Sequence, residues 1–388
     1  MLSLQLFQLA LMGLLRFYLA ICVIAQHCGG PFLPWQMQDG TQAVRIFYII
    51  SGFYMAMVLS TRYSKPGRFY LSRFLRIFPT YWIVLGATVV VSLVGGLFYN
   101  RWMLLRPYVN HPFSHNGTFG FILAAVLNFT LIGQDWIMFL KHDAGQSIQF
   151  ATTIQNDPSP LYWYLLIPQA WTIGVELAFY AIAPYLNRLS TKWLGAVTLA
   201  AFAARLISSQ YLGLDRPPWN NRFFPLELGL FLFGMLAYRL YARFGSHPAF
   251  QRCQSTTWRS YVSLSIAILI MMSAHIHAAQ LLGHFLSPPI SGLLTYPPFT
   301  LVIPVLFLIS KNNKFDRFIG EMSYPVYLMH FLILVAVANT FSIAPGAELG
   351  RIASLLSVAF SMLLYIAFIA PLDRKRHKFT IKDRQNSQ

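Results

Sequence analysis

Charge is scarce in this chain. Asp, Glu, Lys and Arg together make up 11% of its 388 residues, while hydrophobic residues make up 56%. With a mean hydropathy of +0.52, it falls outside the ordinary soluble class and reads as an integral membrane protein. Cysteine is scarcer still. Cys22, Cys28 and Cys253 are too few and too scattered for a disulfide framework or a thiolate metal site, so no metal is expected. Neither a soluble domain nor an internal repeat is visible, so the membrane consumes the chain length. Acidic residues are outnumbered, 12 against 29 basic ones, for a net charge of +17. In a soluble protein that imbalance would point to nucleic acid. Here the basic residues cluster in short loops between apolar stretches, as in cytoplasmic loops of membrane proteins, and no nucleic-acid partner is expected.

What is present is a series of apolar stretches and a 16% share of aromatics suited to interfacial belts. Candidate spans cover 6–28, 42–60, 80–99, 119–140, 165–187, 193–210, 223–242, 260–281, 293–310, 319–341 and 351–371. The first lacks a basic n-region and contains an arginine, so it reads as a retained helix and not a signal peptide. Basic clusters place the 61–79 and 188–192 connections in the cytoplasm, with Arg239, Arg243, Arg252 and Arg259, then Lys311, Lys314 and Arg317, marking later ones. Three full crossings cannot join two loops on the same side. The 119–140 stretch, with Asn128, Gln134 and Asp135, is the expected exception. The fold expected is all-α: a polytopic transmembrane bundle over 1–371, with about ten spanning helices and one re-entrant or interfacial segment. A basic cytoplasmic tail, 372–388, follows, and both termini lie inside.

Four groups carry chemistry. Arg16 and His27 share one face of the first helix, about 16 Å apart along its axis. An arginine there normally faces a protein interior or polar cavity, and the imidazole can serve as a general base. A packing or snorkelling role for both stays open. Arg73 and Arg76, three apart between spans two and three, suit phosphate binding or lipid anchoring, and Pro79 is expected to disturb the start of the third helix. Trp171-Thr-Ile-Gly-Val-Glu176-Leu-Ala-Phe-Tyr180 puts a carboxylate in the membrane, either ion-paired with Arg16 or another cation, or a functional acid. Ser323, Tyr327 and His330 form a polar stripe that should look into the bundle.

The order of these groups, with Ile50-Ser51-Gly52-Phe53 and Ile77-Phe78-Pro79-Thr80-Tyr81 between them, resembles the acyltransferase-3 family of bacterial membrane O-acyltransferases over residues 12–371. The resemblance implies acyl transfer from cytoplasmic acyl-CoA, usually acetyl-CoA, to carbohydrate acceptors, in a bacterial inner membrane and with polysaccharide-assembly proteins as candidate partners. It implies that Arg16 and His27 are the essential pair of the first helix, Arg73 and Arg76 the cytoplasmic arginine motif, and Glu176 the acid of the tryptophan-to-glutamate element. His27 would act as base or be acylated in transit. Trp171, Ser323, Tyr327 and His330 would bind or support substrate. The chain looks like a stand-alone form without a fused esterase-like domain. It departs from the family pattern at Arg45, where an acidic or polar residue is usual, and at Ile369-Ala370-Pro371, where relatives often carry a glutamate. Arg45 can attract an anionic acceptor or pair with an acid. A glycolipid transporter is the rival reading, since intramembrane Arg, Glu and His also serve transport; a non-catalytic scaffold would leave the buried charges without a purpose.

Overall fold

The computed structural model describes residues 12–63, 65–110, 118–142, 148–153, 157, 159–245, 247, 258–286, 290, 294–311 and 313–372. The basic tail, apart from Leu372, lies outside the described residues, as do Cys253 and the start of the first apolar stretch.

Each of the eleven apolar stretches contains a helix: α1 (Met12–His27), α2 (Gly40–Thr61), α3 (Pro66–Tyr99), α4 (Thr118–Thr130), α5 (Trp171–Leu186), α6 (Thr191–Tyr211), α7 (Phe224–Phe244), α8 (Trp258–Phe285), α9 (Pro297–Ser310), α10 (Lys314–Phe341) and α11 (Ala347–Leu364). The described strands are β1 (Leu140–His142) and β2 (Ile148–Phe150), which form one antiparallel pair. Among the described residues, six segments are long and apolar enough to cross a membrane: α2, α3, Trp219–Phe244, Ile268–Phe285, α10 and Ala347–Leu372. The expected all-α membrane class holds at that level.

Two local expectations change. Pro79 does not disturb the start of a helix; it sits inside α3, a continuous helix of 34 residues that also carries Arg73 and Arg76. Within an apolar helix, neighbouring groups can re-satisfy the carbonyl that a proline frees. The 165–187 stretch is helical only from Trp171, after 3-10 turns at Leu161–Tyr164 and Pro168–Ala170. The 119–140 stretch, doubted as a crossing, is α-helical only in α4, whose 13 described residues run Thr118–Thr130 before the chain turns at Gly133, roughly 20 Å of helix against a hydrocarbon core of about 30 Å. Its Asn128 is locked: Nδ2 donates to the Tyr164 carbonyl at 2.8 Å, and Oδ1 accepts from Leu166 N at 2.8 Å. Gln134 Nε2 donates to the Tyr81 hydroxyl at 2.8 Å.

Large apolar side chains cover the periphery. Val90, Val94, Leu97 and Phe98 of α3, Leu199 and Ile207 of α6, and Leu355 and Leu363 of α11 are all exposed, a surface that suits lipid and not water. Inside, backbones meet without side chains between them. A Cβ on Gly52 would lie 1.9 Å from the Phe231 carbonyl oxygen, and one on Gly234 would lie 1.9 Å from that of Ile49, so α2 and α7 touch through small residues, as membrane helices commonly do. Likewise a Cβ on Gly13 would lie 1.9 Å from the Asp316 carbonyl oxygen, and one on Gly320 would lie 2.9 Å from Gly13 Cα. The Asp316 side chain accepts from Gly13 N at 2.5 Å and from Leu14 N at 3.0 Å, pinning the start of α1 to that of α10.

Gly-to-Ala inside a helix usually stabilises through the unfolded chain. Gly52→Ala should do the opposite, lowering stability in detergent by about 1–3 kcal/mol through overpacking, while Gly86→Ala, whose Cβ meets nothing within 4 Å, should not. Thermal unfolding of the two variants side by side checks this; equal melting temperatures would refute the close contact.

Candidate active site

A cavity of ≈ 480 Å³ runs beside α2, lined by residues of that helix from Val44 to Arg62. Eighteen helical steps correspond to about 27 Å, most of a bilayer core. Its two ends differ. Arg62, Arg73, Arg76, Lys311 and Arg317 crowd one end, and Arg16 lies farther in. These six basic groups face three carboxylates, those of Glu176, Asp316 and Glu321. Toward the other end the wall becomes Val44, Phe47, Tyr48, Thr172, Ile173 and Tyr327.

The arginines reach the cavity because α3 is amphipathic. Arg73 and Arg76 are half-buried, whereas Leu71, Phe74 and Leu75 on the same helix are exposed. Arg73 lies over the Phe69 ring at 5.9 Å, and its Nη2 donates to Ser72 Oγ at 3.3 Å. Arg16 lies 6.0 Å from the Tyr54 ring centroid.

Glu176 does not form the ion pair with Arg16 that was one of its two expected roles. It accepts hydrogen bonds from the Ser51 hydroxyl and from the Tyr180 hydroxyl, the latter at 2.7 Å, and no ion pair joins it to Arg16 among the described residues. Both groups line the same cavity, so they act on each other through space. The Ser51-Gly52-Phe53 element thereby acquires three separate jobs. Ser51 holds the carboxylate, Gly52 admits α7, and Phe53 packs edge-on against Tyr54, Tyr238 and Tyr241.

The polar stripe of α10 faces inward: Ser323, Tyr327 and His330 are all buried. Ser323 donates to the Gly320 carbonyl at 2.6 Å. The Tyr327 hydroxyl donates to the Gln169 carbonyl at 2.8 Å and lies 2.6 Å from Thr172 Oγ1. His330 Nδ1 lies 2.6 Å from the Tyr327 carbonyl oxygen, and its Nε2 lies 2.9 Å from His27 Nδ1. The two imidazoles are inclined by only 22°, with centroids 5.0 Å apart. That separation is close to the N···N distance plus the two ring radii, so the rings meet edge to edge in nearly one plane.

This chain of contacts sets the tautomers. A carbonyl oxygen can only accept, so His330 carries its proton on Nδ1. A neutral ring then has only a lone pair on Nε2, which must receive the His27 Nδ1 proton. The lone pair of His27 is therefore left on Nε2. His27 itself is an exposed residue at the end of α1.

Arg16 and His27 do share the α10-facing side of α1: Arg16 Nη1 lies 3.8 Å from where a Gly320 Cβ would be, and His27 meets His330. They do not both line the cavity. The cavity brings together Arg16, Arg73, Arg76, Glu176, Ser323 and Tyr327, but His27, His330 and Trp171 lie beyond its Tyr48–Tyr327 end.

At that far end stands a charge cluster that sequence reading only touched. Glu227 is fully buried; Arg205 Nη1 donates to it at 2.7 Å, and Arg45 Nη2 approaches it at 3.5 Å. Arg45 thus pairs with an acid, one of the two roles open to it. Arg222, not singled out from sequence, lies over the Trp171 ring at 5.0 Å. No local signal could have linked residues 171 and 222.

The chain matches the acyltransferase-3 family, described as an acyltransferase domain, over residues 11–370. It is 23% identical over 343 residues to the exopolysaccharide production protein ExoZ of Rhizobium meliloti (strain 1021), covering 87% of this chain and 90% of ExoZ. It is 24% identical over 357 residues to the peptidoglycan O-acetyltransferase OatA of Listeria monocytogenes, covering 85% of this chain and 50% of OatA. No solved structure matches it. A match across nearly the whole chain, on a scaffold of apolar helices long enough to cross a bilayer, makes this protein a member of the acyltransferase-3 family of membrane O-acyltransferases.

Proposed function

We propose that this protein moves an acyl group, acetyl in the first instance, from cytoplasmic acyl-CoA to a hydroxyl of a cell-surface or exported carbohydrate. Its setting is a bacterial inner membrane, with both termini cytoplasmic. One observation carries the reading: the cavity beside α2 is strongly basic at one end and ends near the paired imidazoles of His27 and His330 at the other. The names of ExoZ and OatA, a polysaccharide producer and a peptidoglycan acetyltransferase, support a carbohydrate acceptor.

CoA carries several phosphate charges on one end and a thioester at the tip of a flexible arm. Arg73 and Arg76, with Arg62, Lys311 and Arg317 beside them, fit the phosphates through charge-assisted hydrogen bonds. The more apolar course along α2, past Val44, Phe47 and Ile173, fits the arm. Arg16, partway along, offers a guanidinium to an amide carbonyl of the arm as it passes toward His27.

His27 Nε2 takes the proton of the acceptor hydroxyl as that oxygen attacks the thioester carbon. The carbon–oxygen bond forms, the carbon–sulfur bond breaks, and the departing CoA thiolate takes the proton from the His27 imidazolium. His330 keeps His27 in the tautomer that makes this possible, and its own Nδ1 proton stays in the hydrogen bond it donates to the Tyr327 carbonyl. Glu176, held by Ser51 and Tyr180, places a negative charge opposite Arg16.

His27→Ala should lower acceptor-dependent CoA release by about 10²–10⁴-fold at unchanged membrane abundance; full activity would remove His27 from the mechanism. Arg73→Gln and Arg76→Gln should each raise the KM for acetyl-CoA about tenfold or more and weaken its dependence on ionic strength. An unmoved KM in the double variant would place the donor elsewhere. A transporter would release no CoA in either assay.

A further inference from the structure

Beyond the Tyr48–Tyr327 end of the cavity, buried polar atoms without partners collect in one place. Arg222 Nε and Nη1, Asn220 Oδ1, Asn221 Oδ1, Arg45 Nε and the Tyr48 hydroxyl are all buried with no hydrogen-bond partner among the described residues. Buried polar atoms in folded proteins are nearly always paired, so this concentration on one turn and the adjoining face of α2 points to a ligand.

The mixture identifies its class. Guanidinium nitrogens only donate, amide oxygens only accept, and a phenol does both. A simple anion would suit Arg222 but would set its charge against the two amide oxygens. Vicinal hydroxyls, which donate and accept at once, satisfy all of them. A sugar ring has that chemistry.

The turn is also rigid. The Asn220 carbonyl accepts from Arg45 Nη2 at 2.6 Å and from Arg205 Nη2 at 2.7 Å, and both arginines rest on the buried Glu227. Asn220 Nδ2 donates to the Asp215 carbonyl at 2.7 Å, which settles which end of that amide is the acceptor. Trp171 holds the Arg222 guanidinium from one face. Arg222 is near enough to His27 and to Tyr48 for its charge to act on both, and Tyr48 lines the end of the cavity assigned to the donor. The patch therefore lies between the donor path and the base.

We propose that the Trp219–Arg222 turn, with Tyr48 of α2, is the subsite that holds the acceptor's sugar ring beside His27. This rests on the acyl-transfer reading above and adds its second substrate site. Arg45, Arg205 and Glu227 act as positioning residues behind it.

The test uses the full chain in proteoliposomes, with acetyl-CoA as donor and the host's own surface polysaccharide, stripped of its acyl groups, as acceptor. Arg222→Ala should raise the KM for polysaccharide about 10- to 100-fold with no change in the KM for acetyl-CoA, and Tyr48→Phe should raise the polysaccharide KM by less. If Arg222→Ala does not yield folded protein, Asn221→Ala on the same turn should give the same split at about tenfold. An unchanged polysaccharide KM, or an equal rise in both KM values, overturns the proposal. The outcome is separable from that of the base: a fully active His27→Ala would end the mechanism, whereas this readout is a ratio of two KM values that any base would leave intact.

Discussion

The contact between α1 and α10 at Gly13 and Gly320 decides where every other functional group lies. There the two backbones meet with no side chain between them, and Asp316 accepts from the first amides of α1. With the helices pinned in parallel at one end, the α10-facing side of α1 carries Arg16 into the cavity and sets His27 against His330 at the other end. Small residues supply this closeness because lipid offers no hydrophobic drive to press helices together. A larger residue at Gly13 would tilt the helix and part the two imidazoles, leaving the tautomer of His27 undetermined.

Polar groups within the bundle are expensive, and the structure divides them between two treatments. Some are held by partners inside the protein: Glu176 Oε1 by Ser51 and Tyr180, Asn128 by the Leu166 amide and the Tyr164 carbonyl, Glu227 Oε1 by two arginines. Others face a cavity or carry no partner: the basic end near Arg76, and the patch around Arg222 and Tyr48. The first set builds the scaffold. The second set marks the two places where substrates are expected, the cavity itself and the patch beyond its Tyr48–Tyr327 end.

Much of this was readable in the chain because it is local. The spacing of Arg16 and His27 predicts a shared helix face, and the i, i+4, i+7 stripe of Ser323, Tyr327 and His330 predicts an inward-looking surface; both features are found. The alternation of Arg73 and Arg76 with apolar residues likewise describes the amphipathic start of α3. Pairings across the bundle were not readable. Glu176 turned to Ser51 and Tyr180 and not to Arg16, because α2 and not α1 lies against that point of α5. Arg222 gave no signal, since its partner Trp171 is fifty residues away and belongs to a different helix. Pro79 misled because the rule that prolines break helices is weaker in a long apolar helix whose neighbours can absorb the lost bond. The number of crossings was the least legible feature, because the described parts of α1, α4 and α9 are apolar but short.

The central claim is that one path along α2 brings a thioester from the arginine end to the imidazole end. A structure of the protein with a non-hydrolysable acetyl-CoA analogue tests it most directly. The account predicts phosphates against Arg73 and Arg76, the arm running past Arg16 and Tyr54, and the acyl end at Tyr48 and Tyr327, next to His27. Phosphates bound at the His27 end, or an arm lying outside the α2 cavity, would contradict it.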